Sequence, residues 1–358
     1  MTRNFDKDYK IKLGITHGDV NGIGYEIIIK ALADHRFLEL CTPVVYGSSK
    51  VASFYKKLLN YNDFNLNLIK HAEAAVAKRS NIVNINNDEI KIELGQSTEL
   101  AGVLAAQALD LAVEDLKKEQ IDVLVTAPIN KSNIQSRTFN FPGHTEYLAS
   151  KFNVANDLMI MVSNNIRIGV VTGHIPLKDV SNNLSIDLIM SKIRIMNQSL
   201  IQDFAITKPK IAVLALNPHA SDNGLLGKEE HDIIIPAVKK AMDEKILAFG
   251  PYPADGFFGS ENLRNFDGII AMYHDQGLIP FKLMSFKEGV NFTAGLPIVR
   301  TSPAHGTAYE IAGKNEASPE SLRQAIYLAC DIFKNRLMYQ ELTKNPLKIS
   351  NNSNEREN

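Results

Sequence analysis

Cysteine is scarce in this chain. Two residues, Cys41 and Cys330, stand among 358, and they form no spacing pattern. That argues against a disulfide scaffold and against a zinc site built on thiolates. Charge of one sign is also lacking. The 39 Lys and Arg nearly match the 40 Asp and Glu, leaving a net charge of -1 and a pI of about 6.8. Such a balance gives no electrostatic reason to expect nucleic acid or an anionic membrane surface as a partner. No apolar run approaches the ~18–20 residues that a membrane span requires. The N-terminus, MTRNFDKDYK, has no apolar core of a signal peptide. The expectation is a cytoplasmic protein. Internal repeats are missing. So is the G-x-G-x-x-G of a Rossmann dinucleotide site, because the glycine-rich GDVNGIG (18–24) does not fit that spacing.

What is present is a regular alternation. At 45% hydrophobic residues the chain can bury a sizeable core, as two domains or one large one. Short apolar, β-branched runs are predicted as strands at 9–16, 42–48, 121–129, 166–174, 209–219 and 266–274. Helical spacing falls between them, at 24–37, from about Lys50, and at 98–120 with Thr98 as N-cap. Continuously apolar strands alternating with helices predict an α/β protein with a parallel sheet covered on both faces. The polar, Asn-rich tail KISNNSNEREN (348–358) is expected to be disordered.

Three strand ends share one construction. IGVVTGH, IAVLALNPH and GIIAMYH each run from apolar residues through one or more polar or turn residues to a histidine: His174, His219 and His274. Ends of parallel strands lie on one edge of a sheet, so the three imidazoles have a common place to meet. Three neutral imidazoles with an open position are a common catalytic site for a divalent metal. A single histidine at a strand end is more often a hydrogen-bonded turn residue; three repeats of the pattern favour the metal. Asp275, beside His274, reads as a helix cap, a carboxylate near the metal, or a proton acceptor. Lys282, Asn291 and Arg300 follow, and cations there suit a substrate carboxylate or phosphate. His144 and Thr145 open a helix whose N–H groups suit an anion.

Seven blocks then converge on one resemblance. TAPINK, PGHTEYLA, TGHIPLKDV, LNPHA, PADGFF, YHDQGL and GVNFTAGLPIVRTSPAHGTAYEIAG closely resemble the 4-hydroxythreonine-4-phosphate dehydrogenases of pyridoxal phosphate biosynthesis, from about Leu13 to about Leu328. Two departures stand out: Asn21 and Tyr25 flank Gly22-Ile23-Gly24 where that family usually has Ala and Pro, and Pro142 stands where Thr is usual. The resemblance implies a fold like that of isocitrate and isopropylmalate dehydrogenases, with two α/β/α domains and a cleft between them. One would take about 1–130 plus about 300–345, and the other about 131–299, with 346–358 left as a tail. It implies metal ligands at His174, His219 and His274, and substrate contacts at His144, Thr145, Lys282, Asn291 and Arg300. Asp255, Asp275 and Lys282 become candidates for proton transfer. His305, Gly306, Thr307 and Ala308 become a loop for NAD or NADP, which would replace the missing Rossmann glycines. The implied metal is Zn²⁺ first, with Mg²⁺ or Co²⁺ as alternatives. A homodimer with a shared site is implied as well. The implied reaction oxidises 4-phosphohydroxy-L-threonine to 2-amino-3-oxo-4-phosphobutanoate, which loses CO₂ to give 3-amino-2-oxopropyl phosphate. Two alternatives stay open: the same chemistry on threonate or erythronate 4-phosphate, and a metal-dependent hydrolase on the same scaffold.

Overall fold

The computed structural model describes residues 9–86, 88–136, 139–164, 166–285 and 287–345. The tail expected at 346–358 lies outside the described residues. The apolar runs become strands in one twelve-stranded sheet. In chain order these are β1 (Ile11–Thr16), β2 (Cys41–Gly47), β3 (Asn67–Ile69), β4 (Asn81–Asn84), β5 (Val123–Thr126) and β6 (Leu158–Ser163). Then follow β7 (Ile166–Thr172), β8 (Lys210–Leu214), β9 (Leu247–Tyr252), β10 (Gly268–Tyr273), β11 (Val290–Ala294) and β12 (Val299–Pro303). Their spatial order is β3-β4-β2-β1-β5-β12-β11-β6-β7-β10-β8-β9.

The expected parallel pairing holds at both ends of the sheet and fails in the middle. β3, β4, β2, β1, β5 and β12 form one parallel block, and β7, β10, β8 and β9 a second. Between them β11 runs antiparallel to both β12 and β6, and β6 antiparallel to β7. The two blocks therefore run in opposite directions. β11 and β12 do not read as apolar runs, because VNFTA and VRTSP alternate polar and apolar residues. Val290, Phe292, Ala294 and Val299 join the main core. Asn291, Thr293, Arg300 and Ser302 point to the opposite face, as a period of two requires. The helix Glu320–Thr343 covers the core side, where Thr301 Oγ1 donates to the Ala325 carbonyl at 2.8 Å. The helix expected at 98–120 spans Glu99–Lys117, and Thr98 Oγ1 accepts from the Ala101 N–H as an N-cap.

One buried group ties the fold to pH. His17 follows β1, is fully buried, and stacks on Tyr25 with ring centroids 5.2 Å apart. The backbone of Leu104 and Gly18 passes close to the ring, yet neither ring nitrogen reaches hydrogen-bond geometry. Burial lowers its pKa from 6.5 to about 4. Between those values the unfolded chain binds more protons than the folded one, so acid favours unfolding. The stabilising contribution is whole above pH 6.5 and lost by about pH 4, amounting to about 3 kcal/mol. Replacing His17→Leu should flatten that part of the denaturant midpoint's pH profile. Identical profiles for the two proteins would show that His17 titrates normally.

Candidate active site

The polar face of β12 and β11 floors a cavity of about 580 Å³. Arg300 and Ser302 from β12, Asn291 from β11, and Met159 and Met161 from β6 line it. Its rim is formed by segments 126–131, 142–146, 173–175 and 302–306, together with the helix that opens at His274. The site therefore lies over the antiparallel seam where the two parallel blocks meet, and not at a single sheet edge.

Arg300 sits at the floor, 3% exposed. Its Nε and one Nη donate to Thr126 Oγ1 at 3.1 and 2.7 Å, and the other Nη donates to Thr293 Oγ1 at 3.3 Å. Thr293 Oγ1 also lies 3.4 Å from Thr145 Oγ1. Among the described residues no carboxylate pairs with this guanidinium. Burial pulls its pKa down to about 10, so it stays charged at neutral pH. A buried cation held only by hydroxyls is a place for an anion.

Three further buried polar atoms on the cavity lack partners: His144 Nε2, Asn291 Oδ1 and His305 Nε2. Buried polar atoms are nearly always paired, so orphans gathered at one cavity point to a ligand. Burial first, then the charges of Arg300 and Lys131, hold the His144 imidazole well below its usual pKa. It is neutral near pH 7. His305 Nδ1 sits 3.1 Å from the Gly306 carbonyl. Thr307 and Ala308 are not among the wall residues. The Thr307 carbonyl accepts from the Ile23 N–H at 3.1 Å, and Ala308 is left-handed at φ 44°. Tyr309 then donates to the buried Asp19 carboxylate at 2.7 Å. Gly22 packs so closely on Thr307 that a Cβ there would meet its carbonyl oxygen at 2.8 Å. That contact gives GDVNGIG its use: it is a brace for the 305–309 loop.

The histidines divide. His174 and His274 stand together, ring centroids 5.1 Å apart, and both line the cavity. Gln276 fixes the start of the His274 helix by accepting from the Met272 N–H and donating to the Ala215 carbonyl. Asp275 Oδ1 lies 2.7 Å from His274 Nδ1. That contact favours the Nδ1–H tautomer and leaves Nε2 with its lone pair free. His219 is exposed and is not part of the cavity wall. It opens a run of left-handed residues, His219–Asn223, after β8. The buried Glu230 carboxylate holds that loop by accepting from the N–H groups of Leu216 and Asn217. Among the described residues no group of three His, Cys, Asp or Glu is arranged to hold a metal.

Lys282 and Thr145 line the cavity, whereas Asp255 is exposed outside it and Asp275 faces His274. Reading from sequence missed four charged groups on the wall: Lys131, Glu146, Asp157 and Lys192. Only PGHTEY hinted at one of them, since Glu146 sits in the first turn of the helix His144–Lys151.

A family profile for the pyridoxal phosphate biosynthetic protein PdxA matches residues 39–329. The chain belongs to that family. A 4-hydroxythreonine-4-phosphate dehydrogenase of Bacteroides thetaiotaomicron is 51% identical over 343 residues, which are 96% of this chain and 94% of that protein. A relative in Oceanobacillus iheyensis carries the provisional name D-threonate 4-phosphate dehydrogenase. It is 36% identical over 323 residues, covering 89% of this chain and 97% of its own. The crystal structure of a 4-hydroxythreonine-4-phosphate dehydrogenase from Klebsiella pneumoniae superposes with a TM-score of 0.77 at 34% identity. That match covers 92% of this chain and 99% of that one. The PdxA fold is thus the α/β arrangement expected from the strand and helix pattern. No helix among the described residues is long and apolar enough to cross a membrane.

Proposed function

We propose that this PdxA-family chain is an NAD- or NADP-dependent dehydrogenase acting on 4-phosphohydroxy-L-threonine. The observation that carries this reading is Arg300, a buried cation with no carboxylate partner among the described residues, surrounded by orphaned polar atoms. Arg300, Lys282 and the helix start at His144–Thr145 would hold the phosphate and carboxylate, with Asn291 on the substrate's polar atoms. The loop His305, Gly306, Thr307 and Ala308 would seat the dinucleotide beside them. The lobes proposed are about 1–130 plus 300–345, and 131–299; the cavity draws wall residues from both ranges.

A divalent ion fits the paired imidazoles of His174 and His274 as nitrogen ligands, with Zn²⁺ preferred and Mg²⁺ or Co²⁺ as alternatives. When bound it would supply Lewis acidity to the secondary hydroxyl. One chain brings only two of the three imidazoles together. We take His219 of a second copy to complete the set in a homodimer. Two apolar patches support that pairing. Ile279 and Leu283, exposed at 58% and 81%, lie on the His274 helix, and Leu225, exposed at 79%, follows His219.

In the proposed reaction the hydroxyl proton passes to a base, Lys282 being the candidate on the cavity wall, and hydride passes to the nicotinamide. Asp275 orients His274. Asp255, outside the cavity of one chain, is assigned no part. The resulting β-keto acid loses CO₂, giving 3-amino-2-oxopropyl phosphate. Threonate 4-phosphate is the second reading, favoured by the Oceanobacillus relative's name. Measuring released CO₂ against reduced nicotinamide tests the sequence of steps. One CO₂ per nicotinamide is expected, and reduction with no CO₂ would remove the decarboxylation.

A further inference from the structure

The cavity is lined by four cations, Lys131, Lys192, Lys282 and Arg300, and by two carboxylates, Glu146 and Asp157. The cations suit the anionic ends of a phosphorylated acid. The carboxylates need a different explanation, because an unneutralised carboxylate repels an entirely anionic ligand. Asp157 has a neighbouring cation: Lys192 donates to its backbone carbonyl and acts on its charge. Glu146 has none. Among the described residues its carboxylate makes no hydrogen bond and no ion pair. The side chain is solvent-exposed on the cavity wall. Its Oε2 lies 3.4 Å from the point that a Cβ on Gly143 would occupy, at the start of its own helix. The orphaned His144 Nε2 belongs to the same turn. The Glu146 charge is felt by His174, Arg300 and Asp157, all three on the cavity wall.

We infer that Glu146 reads the α-ammonium of the substrate and so selects an amino-acid phosphate over a sugar-acid phosphate. The two candidate substrates share the phosphate, the carboxylate and the secondary hydroxyl. They differ where one carries –NH₃⁺ and the other –OH. An ammonium adds an ion pair to its hydrogen bonds with a carboxylate, whereas a hydroxyl donates one hydrogen bond and brings no charge of its own. This inference rests on the dehydrogenase reading and narrows it to one substrate class.

The test compares kcat/KM of wild-type protein and Glu146→Gln on 4-phosphohydroxy-L-threonine and on D-threonate 4-phosphate. Glutamine keeps the shape and removes the charge at an exposed position, and a thermal melt checks the fold. The variant should lose about 10- to 100-fold on the amino-acid phosphate, the range for a hydrogen bond to a charged group. It should hold or gain on the threonate, so the preference narrows or reverses. Parallel losses on both substrates, or no change on either, would overturn the inference and leave the dehydrogenase reading standing. Wild-type protein inert toward both would overturn that reading and the inference with it.

Discussion

Arg300→Ala should lower kcat/KM for the phosphorylated substrate by about 30- to 1000-fold, equivalent to ~2–4 kcal/mol. The size follows from the environment. The guanidinium is buried, and its own bonds go to two threonine hydroxyls, which do not neutralise it. A ligand anion arriving there meets a desolvated positive charge, which acts more strongly than one in water. Removing the side chain leaves the anion without its counter-charge, and leaves Thr126 without a donor. Arg300→Lys should recover only part of the loss, because an ammonium cannot reproduce the planar fork. Steady-state kinetics on folded variants, checked by thermal melting, decide the matter. An unchanged kcat/KM in the alanine variant would place Arg300 outside the substrate site.

Replacing His274→Ala should remove tight binding of the divalent ion and, with it, turnover. Two imidazoles 5.1 Å apart, one of them oriented by Asp275, are two of the three nitrogen ligands proposed. Losing either costs a ligand outright. Direct titration with Zn²⁺ reads this without any reliance on activity. Unchanged Zn²⁺ affinity would remove His274 from the ligand set. His219→Ala gives the more telling result. If its imidazole serves the other copy, mixing His219→Ala with His274→Ala protein creates hybrid dimers with one intact site each. Activity should then return to roughly a quarter of wild type, because random exchange puts half the chains in hybrids and each hybrid has one of two sites intact. No recovery after subunit exchange would confine the site to one chain.

How much of this was legible in the sequence depended on periodicity. β5, β7, β8 and β10 are buried on both faces, so they read as continuous apolar runs that end at chemistry-bearing residues. His174 and His274 were visible for that reason. β11 and β12 present one face to the core and one to the cavity, so their alternating letters hid both the strands and the floor they make. Arg300 and Asn291 stood out as polar residues downstream of His274, and then through the family likeness, but not through a strand pattern. Lys131, Glu146, Asp157 and Lys192 reach the wall from loops and helices that are distant in sequence, where no local spacing marks them. The split of the histidines was illegible as well. A strand-end pattern gives the edge on which three side chains stand, but not the left-handed loop that keeps His219 off the cavity wall.

The most direct measurement is the absorbance of reduced nicotinamide when the protein meets 4-phosphohydroxy-L-threonine, NAD⁺ or NADP⁺, and Zn²⁺ or Mg²⁺, beside an EDTA-treated control. The expected result is reduction that depends on the substrate and is lost with the chelator. No reduction with either dinucleotide and any of the metals, while Arg300 and the paired histidines remain intact, would contradict the dehydrogenase assignment.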